Sequence, residues 1–544
     1  MMQIRLELTL VFGALCCLPC FAQIPSPAPA AEVGEVESSL LAASEAWERL
    51  AANPAVLDAD AFQRYQQSLC RLLQAALASG RLDPQAGLTI STPAGPRTIP
   101  VRYYCLPWRP EEVESLRFAT VDPSTVLKRV YACPGLGVPI LGASRDAGLR
   151  GCAQQFLVEG IRFPLTAVLR PNPPMVKACL RGEFVAEPPA VLELYDPLRV
   201  GYVEIAGHNV PMARDLSSAV AQTKADGESP KRNRMEFTRP GTVYEGSSLR
   251  MLEPYQPGKM PLVFVHGARS DAYAWADLIN DLRADPEIFC RYQLWVVRYS
   301  TGEPFVVSAA KMRNDCQLAQ AILNSYGLDQ ALYQWVLIGY SLGGQVVRLQ
   351  VTHSDDVLWN TFSRKPLNDI KATDDQRERL AQDFYFEPLP FVTEAIYIAG
   401  TQLGPTVPAA FVFRASAAYT RFESERQQEF RSLRRENPLT FIRIPGTFGG
   451  IPSSMDLMRR HSRVQEAAYG LRNSECAITH NIIGTGGCGG RSDGVMPVYS
   501  GRSPGAASEL LVPVKHGEIH TDERTVQRVR EILYQHGAAP ESGR

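Results

Sequence analysis

Apolar positions change their period along the chain, and each change predicts a different kind of element. From Glu35 to about Ser79 they recur at helical spacing, interrupted near Asn53-Pro54, which predicts a helical hairpin. From Leu88 to about Gly207 they shorten to β-like runs at Thr98–Tyr104, Leu165–Leu169, Val191–Tyr195 and Val200–Ile205, densely punctuated by Pro and Gly. The polar stretch 223–235 (TKADGESPKRNRM) reads as an exposed loop. After Met260 the texture changes: Pro261–His266, Gln293–Tyr299 and Trp335–Gly339 are continuous apolar runs of the kind a strand buried on both faces requires. Helical stretches at Trp275–Arg283, Ser308–Tyr326 and Gln345–Val351 alternate with them. Ala395–Ala399, Phe441–Ile444 and Leu510–Val514 can supply further strands, and 352–390 and 405–440 read as polar-rich helical insertions. Alternation of buried strand and helix predicts an α/β class with a mostly parallel sheet flanked by helices over 258–536. An N-terminal accessory domain of mixed helical and β character is expected over 35–250.

Composition adds little to this. The chain has 544 residues, 45% hydrophobic and 21% charged, with Lys+Arg 56 against Asp+Glu 57 and a net charge of -1. No long run of one sign appears, so a nucleic-acid partner has no electrostatic support. The N-terminus says more. Arg5 precedes an apolar stretch from Leu8 to Leu18, and Cys20-Phe21-Ala22 follows. This is the layout of a signal peptide over 1–22, followed by a Pro/Ala linker over 23–34, and it predicts export to the periplasm, outer envelope or medium. The apolar stretch is shorter than the ~20 residues a spanning helix needs. Lipid anchoring at Cys16 or Cys20 is disfavoured, because neither is preceded by a lipobox-like sequence. Nine cysteines follow Ala22, and an oxidising compartment would pair some of them. Cys133 with Cys152 and Cys476 with Cys488 are closest in sequence, though spacing does not fix connectivity. No metal site is suggested, and no cofactor is implied.

The pattern G-x-S-x-G occurs at Gly339–Gly343, Gly490–Gly494 and Gly501–Gly505. Its chemistry requires a strand, a strained turn that exposes the serine, and then a helix. Only Ser341 has a buried strand (WVLIG) before it and a helical run after it; Ser503 is followed by Pro504, and Ser492 sits among glycines. Gly339, Gly343 and Gly344 would relieve crowding at the turn. His266-Gly267 ends the first buried strand, so the backbone N–H groups of Ala268 and Leu342 are the expected oxyanion donors. The base should lie downstream, on a loop leaving the end of a late strand. His516 and His520 meet that condition; His516 is nearer the strand and is preferred, with His520 as the alternative base. The acid is expected at Asp493, in Ser492-Asp493-Gly494-Val495, with Asp456 and Glu394 as alternatives.

With these residues in place, the runs PLVFVHG…YQLWVVRYSTGEPF…IGYSLGG, EPLPFVTEAIYIAGTQLGP and SDGVMPVYS…GAASELLVPVKH resemble bacterial lipase/esterase-like α/β-hydrolases related to the GPI-inositol-deacylase-like group, over about residues 260–535. The resemblance implies an α/β-hydrolase fold and a triad of Ser341, Asp493 and His516. Two departures are evident. Tyr340 stands where the family usually has His before the nucleophile, and Ala399–Pro405 (AGTQLGP) replaces a segment that relatives write roughly as ATPHRGS. Both should alter the pocket. The expected function is hydrolysis of carboxylic esters on a lipid-like or other small-molecule substrate, with association with a membrane surface left open. The alternatives are acyl transfer with the same triad, or a non-catalytic envelope binding protein that keeps the fold.

Overall fold

The computed structural model describes residues 34–52, 58–158, 160–227, 229–240, 247–418, 420–445, 447 and 450–538. The expected signal peptide, all of the linker but its last residue, and the break near Asn53-Pro54 lie outside them.

Helices α1 (Glu35–Ala52) and α2 (Ala59–Ala78) pack on each other. Asp58 caps α2, its carboxylate accepting the N–H groups of Asp60 and Ala61. Val36, Leu40, Ala43, Trp47 and Leu50 form the buried stripe of α1; Tyr65, Leu69, Leu72 and Ala76 form that of α2. The Tyr65 hydroxyl donates to the Leu169 carbonyl at 2.8 Å and so ties the hairpin to a five-stranded sheet. That sheet comprises β1 (Val101–Tyr104), β2 (Val113–Arg117), β3 (Val138–Ser144), β4 (Arg162–Pro171) and β5 (Ala190–Tyr195), in the order β1-β5-β4-β3-β2. All its pairings are antiparallel except β1 with β5.

The segment 223–235 is not a loop. It carries the end of α3 (Ser218–Gly227) and most of α4 (Pro230–Thr238). Ser229 accepts the Arg232 N–H as N-cap and Pro230 occupies the first turn. Glu236 and Phe237 are the residues α4 buries, too few to leave an apolar period in the sequence.

The second sheet has seven strands: β6 (Leu249–Met251), β7 (Met260–Val265), β8 (Tyr292–Val297), β9 (Trp335–Tyr340), β10 (Val392–Ile398), β11 (Ile478–Gly484) and β12 (Ser508–Val512). Their order is β6-β8-β7-β9-β10-β11-β12, and only the edge strand β6 runs antiparallel. Every residue of β7 and β9 is buried, as a central parallel strand covered on both faces demands. The flanking helices include α5 (Ala276–Arg283), α6 (Phe305–Leu323), α7 (Leu342–Arg348) and, near the C-terminus, Glu523–Ala538. The chain is thus α/β in class. The two halves meet through polar contacts as well as apolar ones: buried Asp281 of α5 accepts from Arg129 Nε at 2.7 Å and from the Tyr131 hydroxyl at 2.8 Å.

Phe441–Ile444 does not enter the sheet. Phe441 forms a single bridge with Ser363 and packs on Phe362, ring centroids 5.1 Å apart, within the helical insertions. The place beside β10 is taken by β11. All nine cysteines among the described residues are free thiols. Cys476, Cys488, Cys133 and Cys152, the cysteines closest in sequence, are among them. Cys133 instead accepts a contact from Arg214 at 3.5 Å. Among the described residues, no helix is long and apolar enough to cross a membrane.

Candidate active site

Strand β9 delivers Ser341 into a turn that few residue types accept. Its φ is 53° and its ψ is -118°, a sparsely populated region that costs of order 1–3 kcal/mol to hold. The neighbouring strand and the following helix hold it: the Ser341 N–H donates to the Ile398 carbonyl of β10 at 3.0 Å, and its carbonyl accepts from the Gly344 N–H at 3.0 Å. The glycines are required by contact. A Cβ on Gly339 would lie 2.5 Å from the Gly343 carbonyl oxygen, and one on Gly343 would lie 2.2 Å from the Val265 carbonyl oxygen. Gly344 allows α7 to approach Gly400.

Two loops from strand ends on one side of β9 bring the remaining polar groups. The loop after β12 carries His516, whose Nε2 lies 2.9 Å from Ser341 Oγ. The loop after β11 carries Asp493, whose Oδ2 lies 2.6 Å from His516 Nδ1. The other carboxylate oxygen, Oδ1, accepts the N–H groups of Val495 and Met496 at 2.9 and 2.7 Å. Asp493 is 2% exposed, so its carboxylate is met by these three groups held in place rather than by water. The His516 N–H also donates to the Asp493 carbonyl at 2.9 Å. An acceptor on Nδ1 fixes the tautomer that leaves Nε2 free to take a proton from the serine.

The turn after β7 comes close to the same serine. A Cβ on Gly267 would lie 3.1 Å from Ser341 Cβ and 3.0 Å from the Tyr340 ring, so a larger residue there would press on both. Beside it, the Arg269 N–H is held by Thr301 Oγ1 at 3.1 Å. Among the described residues, the N–H groups of Ala268 and Leu342 donate to no protein acceptor. His266 stays behind the turn. Its ring stacks on Tyr299 at 4.5 Å, its carbonyl accepts the Tyr299 hydroxyl at 2.6 Å, and burial pushes its pKa down to about 4.

The structure separates the other candidates from Ser341. His520 packs against Tyr340 at 4.4 Å and edge-on to Trp275 at 5.9 Å, and burial lowers its pKa to about 4. It backs the site and makes no hydrogen bond to Ser341. Asp456 closes a capping box with Ser453. Glu394 belongs to a second relay lower in the sheet: its Oε2 lies 2.8 Å from His480 Nε2, and His480 Nδ1 lies 2.7 Å from Ser508 Oγ. Ser508 begins a regular strand and lacks the strained turn and following helix that hold Ser341. Ser503 donates to Asn481 at 2.9 Å, and Ser492 Oγ accepts the Gly494 N–H at 3.2 Å, so both decoy serines are structural.

The segment Ala399–Pro405 braces the turn from behind. Gln345 and Gln465 both donate to the Thr401 carbonyl, and Thr401 Oγ1 contacts the Ser341 carbonyl at 3.5 Å. Thr401 and Gln402 are wholly buried. This segment therefore bears on the support of the Ser341 turn. Tyr340 donates its hydroxyl to the His516 carbonyl at 2.8 Å. Nothing in the local sequence announces that bond. A cavity of about 170 Å³ lies against the insertions, lined by Val306, Phe362, Leu380, Asp383 and Phe430. Among the described residues, no cluster of His, Cys, Asp and Glu could hold a metal ion.

No protein-family model matches the chain, and no curated protein matches it. Among solved structures it is similar to the mature form of the Bacillus licheniformis lipase BlEst2, with 16% identity and a TM-score of 0.31, over 51% of this chain and 93% of that one. It is also similar to a thermophilic esterase from Thermogutta terrifontis, with 17% identity and a TM-score of 0.25, over 52% of this chain and 92% of that one. A third is a Pyrobaculum calidifontis esterase, with 12% identity and a TM-score of 0.29, over 53% of this chain and 80% of that one. These neighbours are bacterial and archaeal lipases and esterases.

Proposed function

We propose that the protein is a serine hydrolase of the α/β-hydrolase kind that cleaves carboxylic esters through an acyl-enzyme on Ser341. The observation that carries this reading is the continuous relay from Ser341 Oγ through His516 to Asp493, with contacts of 2.9 and 2.6 Å, at a serine held in a strained strand-to-helix turn.

In the first half-reaction His516 Nε2 takes the Ser341 hydroxyl proton as Oγ adds to the ester carbonyl. The oxyanion is met by the N–H groups of Ala268 and Leu342, each worth about 2.7–4 kcal/mol of barrier in comparable sites. The imidazolium, stabilised by Asp493, returns its proton to the departing alkoxide, leaving the acyl group on Oγ. In the second half, Nε2 accepts a proton from water, whose oxygen attacks the acyl carbon. Collapse releases the acid and returns the proton to Ser341. An acyl acceptor other than water would use the same steps.

Turnover of a series of p-nitrophenyl esters tests the reading. A pre-steady-state burst of p-nitrophenol equal to the enzyme concentration supports an acyl-enzyme. A folded protein that releases no p-nitrophenol from any chain length counts against hydrolysis and favours the binding-protein alternative.

A further inference from the structure

We infer that Tyr340 is a positioning residue for the base: its hydroxyl holds the backbone of the His516 loop where Nε2 meets Ser341, so the residue before the nucleophile also places its partner. The inference rests on the reading of Ser341 and His516 given above.

The two polar backbone groups of His516 are held by two different elements. Its N–H donates to the Asp493 carbonyl at 2.9 Å, and its carbonyl accepts the Tyr340 hydroxyl at 2.8 Å. The first bond fixes the base relative to the acid. The second fixes it relative to the nucleophile, because Tyr340 and Ser341 are consecutive. The anchor end is rigid: Tyr340 is the last residue of the central strand β9 and pairs with Ile398 of β10. Its ring is confined by His520 at 4.4 Å, by Trp275 at 6.3 Å and by the Gly267 turn. The held end needs holding. His516 opens a six-residue 3-10 helix, His516–Thr521, whose Gly517 and Glu518 are exposed. Gly517 would present an added Cβ to no neighbour within 4 Å, so packing on that outer side does not define the loop. Burial raises the Tyr340 phenol well above its ordinary pKa, so it stays a donor across the working pH range.

A buried hydroxyl that merely finds an acceptor would show the same bond, and the two roles differ in what they move. Tyr340→Phe keeps the ring and removes only the donor. Because a misplacement of about 1 Å can cost ~10²-fold in rate, loss of one of the two backbone ties is expected to lower kcat about tenfold with KM unchanged within about twofold. The second-order rate of Ser341 labelling by a fluorophosphonate should fall by the same factor. In a His516→Ala background, where there is no base to place, Tyr340→Phe should have no further effect on labelling. Wild-type labelling rates in Tyr340→Phe, or an equal loss with and without His516, overturn the inference while leaving the proposed function intact. A folded wild type that does not label at Ser341 overturns both.

Discussion

Asp493 turns its two carboxylate oxygens to different tasks: Oδ2 faces His516 Nδ1 at 2.6 Å, while Oδ1 is occupied by the N–H groups of Val495 and Met496. One residue therefore contacts the His516 ring and closes its own turn. Asp493→Asn should keep much of the turn but offer a donor or a poorer acceptor to Nδ1. A loss of about 10⁴-fold in kcat is expected, with a small change in melting temperature. Asp493→Ala should lose activity and stability together. Thermal melts beside steady-state kinetics separate the two variants.

His516 and His520 make a matched pair for mutagenesis. His516→Ala should abolish burst kinetics, whereas His520→Gln should retain turnover within a few-fold, since His520 touches the Tyr340 ring and not Ser341. A larger loss at His520 would reverse the assignment.

Protonation of buried histidines should shape acid stability. Burial lowers His266, His520 and His536 to about 4 from an ordinary value near 6.5. Between those two values the unfolded chain binds more protons than the folded one, so stability falls as pH falls from about 6.5 to 4. Denaturant unfolding from pH 7 to 4.5 should show this slope, and His520→Gln should flatten it, by up to about 3 kcal/mol over the window.

Asp383 carries the opposite sign. Burial, then the nearby Glu303 carboxylate, push it up to about 7 against the pull of Arg426, Lys311 and Arg313. The folded state favours its protonated form, so this group erodes stability as pH rises from about 4 through 7. Asp383→Asn should therefore raise the melting temperature at pH 8 more than at pH 5.

Much of this was legible in the chain itself, for identifiable reasons. The turn at Ser341 demands glycine at fixed short spacings between an all-apolar strand and a helix, and those demands leave a local imprint. The end-of-strand loops that hold Asp493 and His516 are marked by glycines and by their order after the serine. The helix Pro230–Thr238 was hidden because it buries only Glu236 and Phe237. Phe441–Ile444 misled because its short, mostly apolar pattern looks like a sheet strand, whereas only Phe441 is buried, packed on Phe362. Tyr340 was visible as a departure from the family pattern, but its bond to His516 joins residues 176 apart, and no spacing rule reaches that far.

The second relay, Glu394–His480–Ser508, tests whether hydrogen bonding alone makes a nucleophile. Ser508→Ala should leave ester turnover unchanged, because a serine beginning a regular strand lacks the strained strand-to-helix turn that Ser341 occupies. Loss of turnover in a variant that melts like the wild type would contradict that view.

The most direct test of the whole account is fluorophosphonate labelling read by intact mass. The wild type should gain one adduct, mapped to Ser341, and Ser341→Ala should gain none. A folded wild type that stays unmodified, or an adduct that persists in Ser341→Ala, would contradict it.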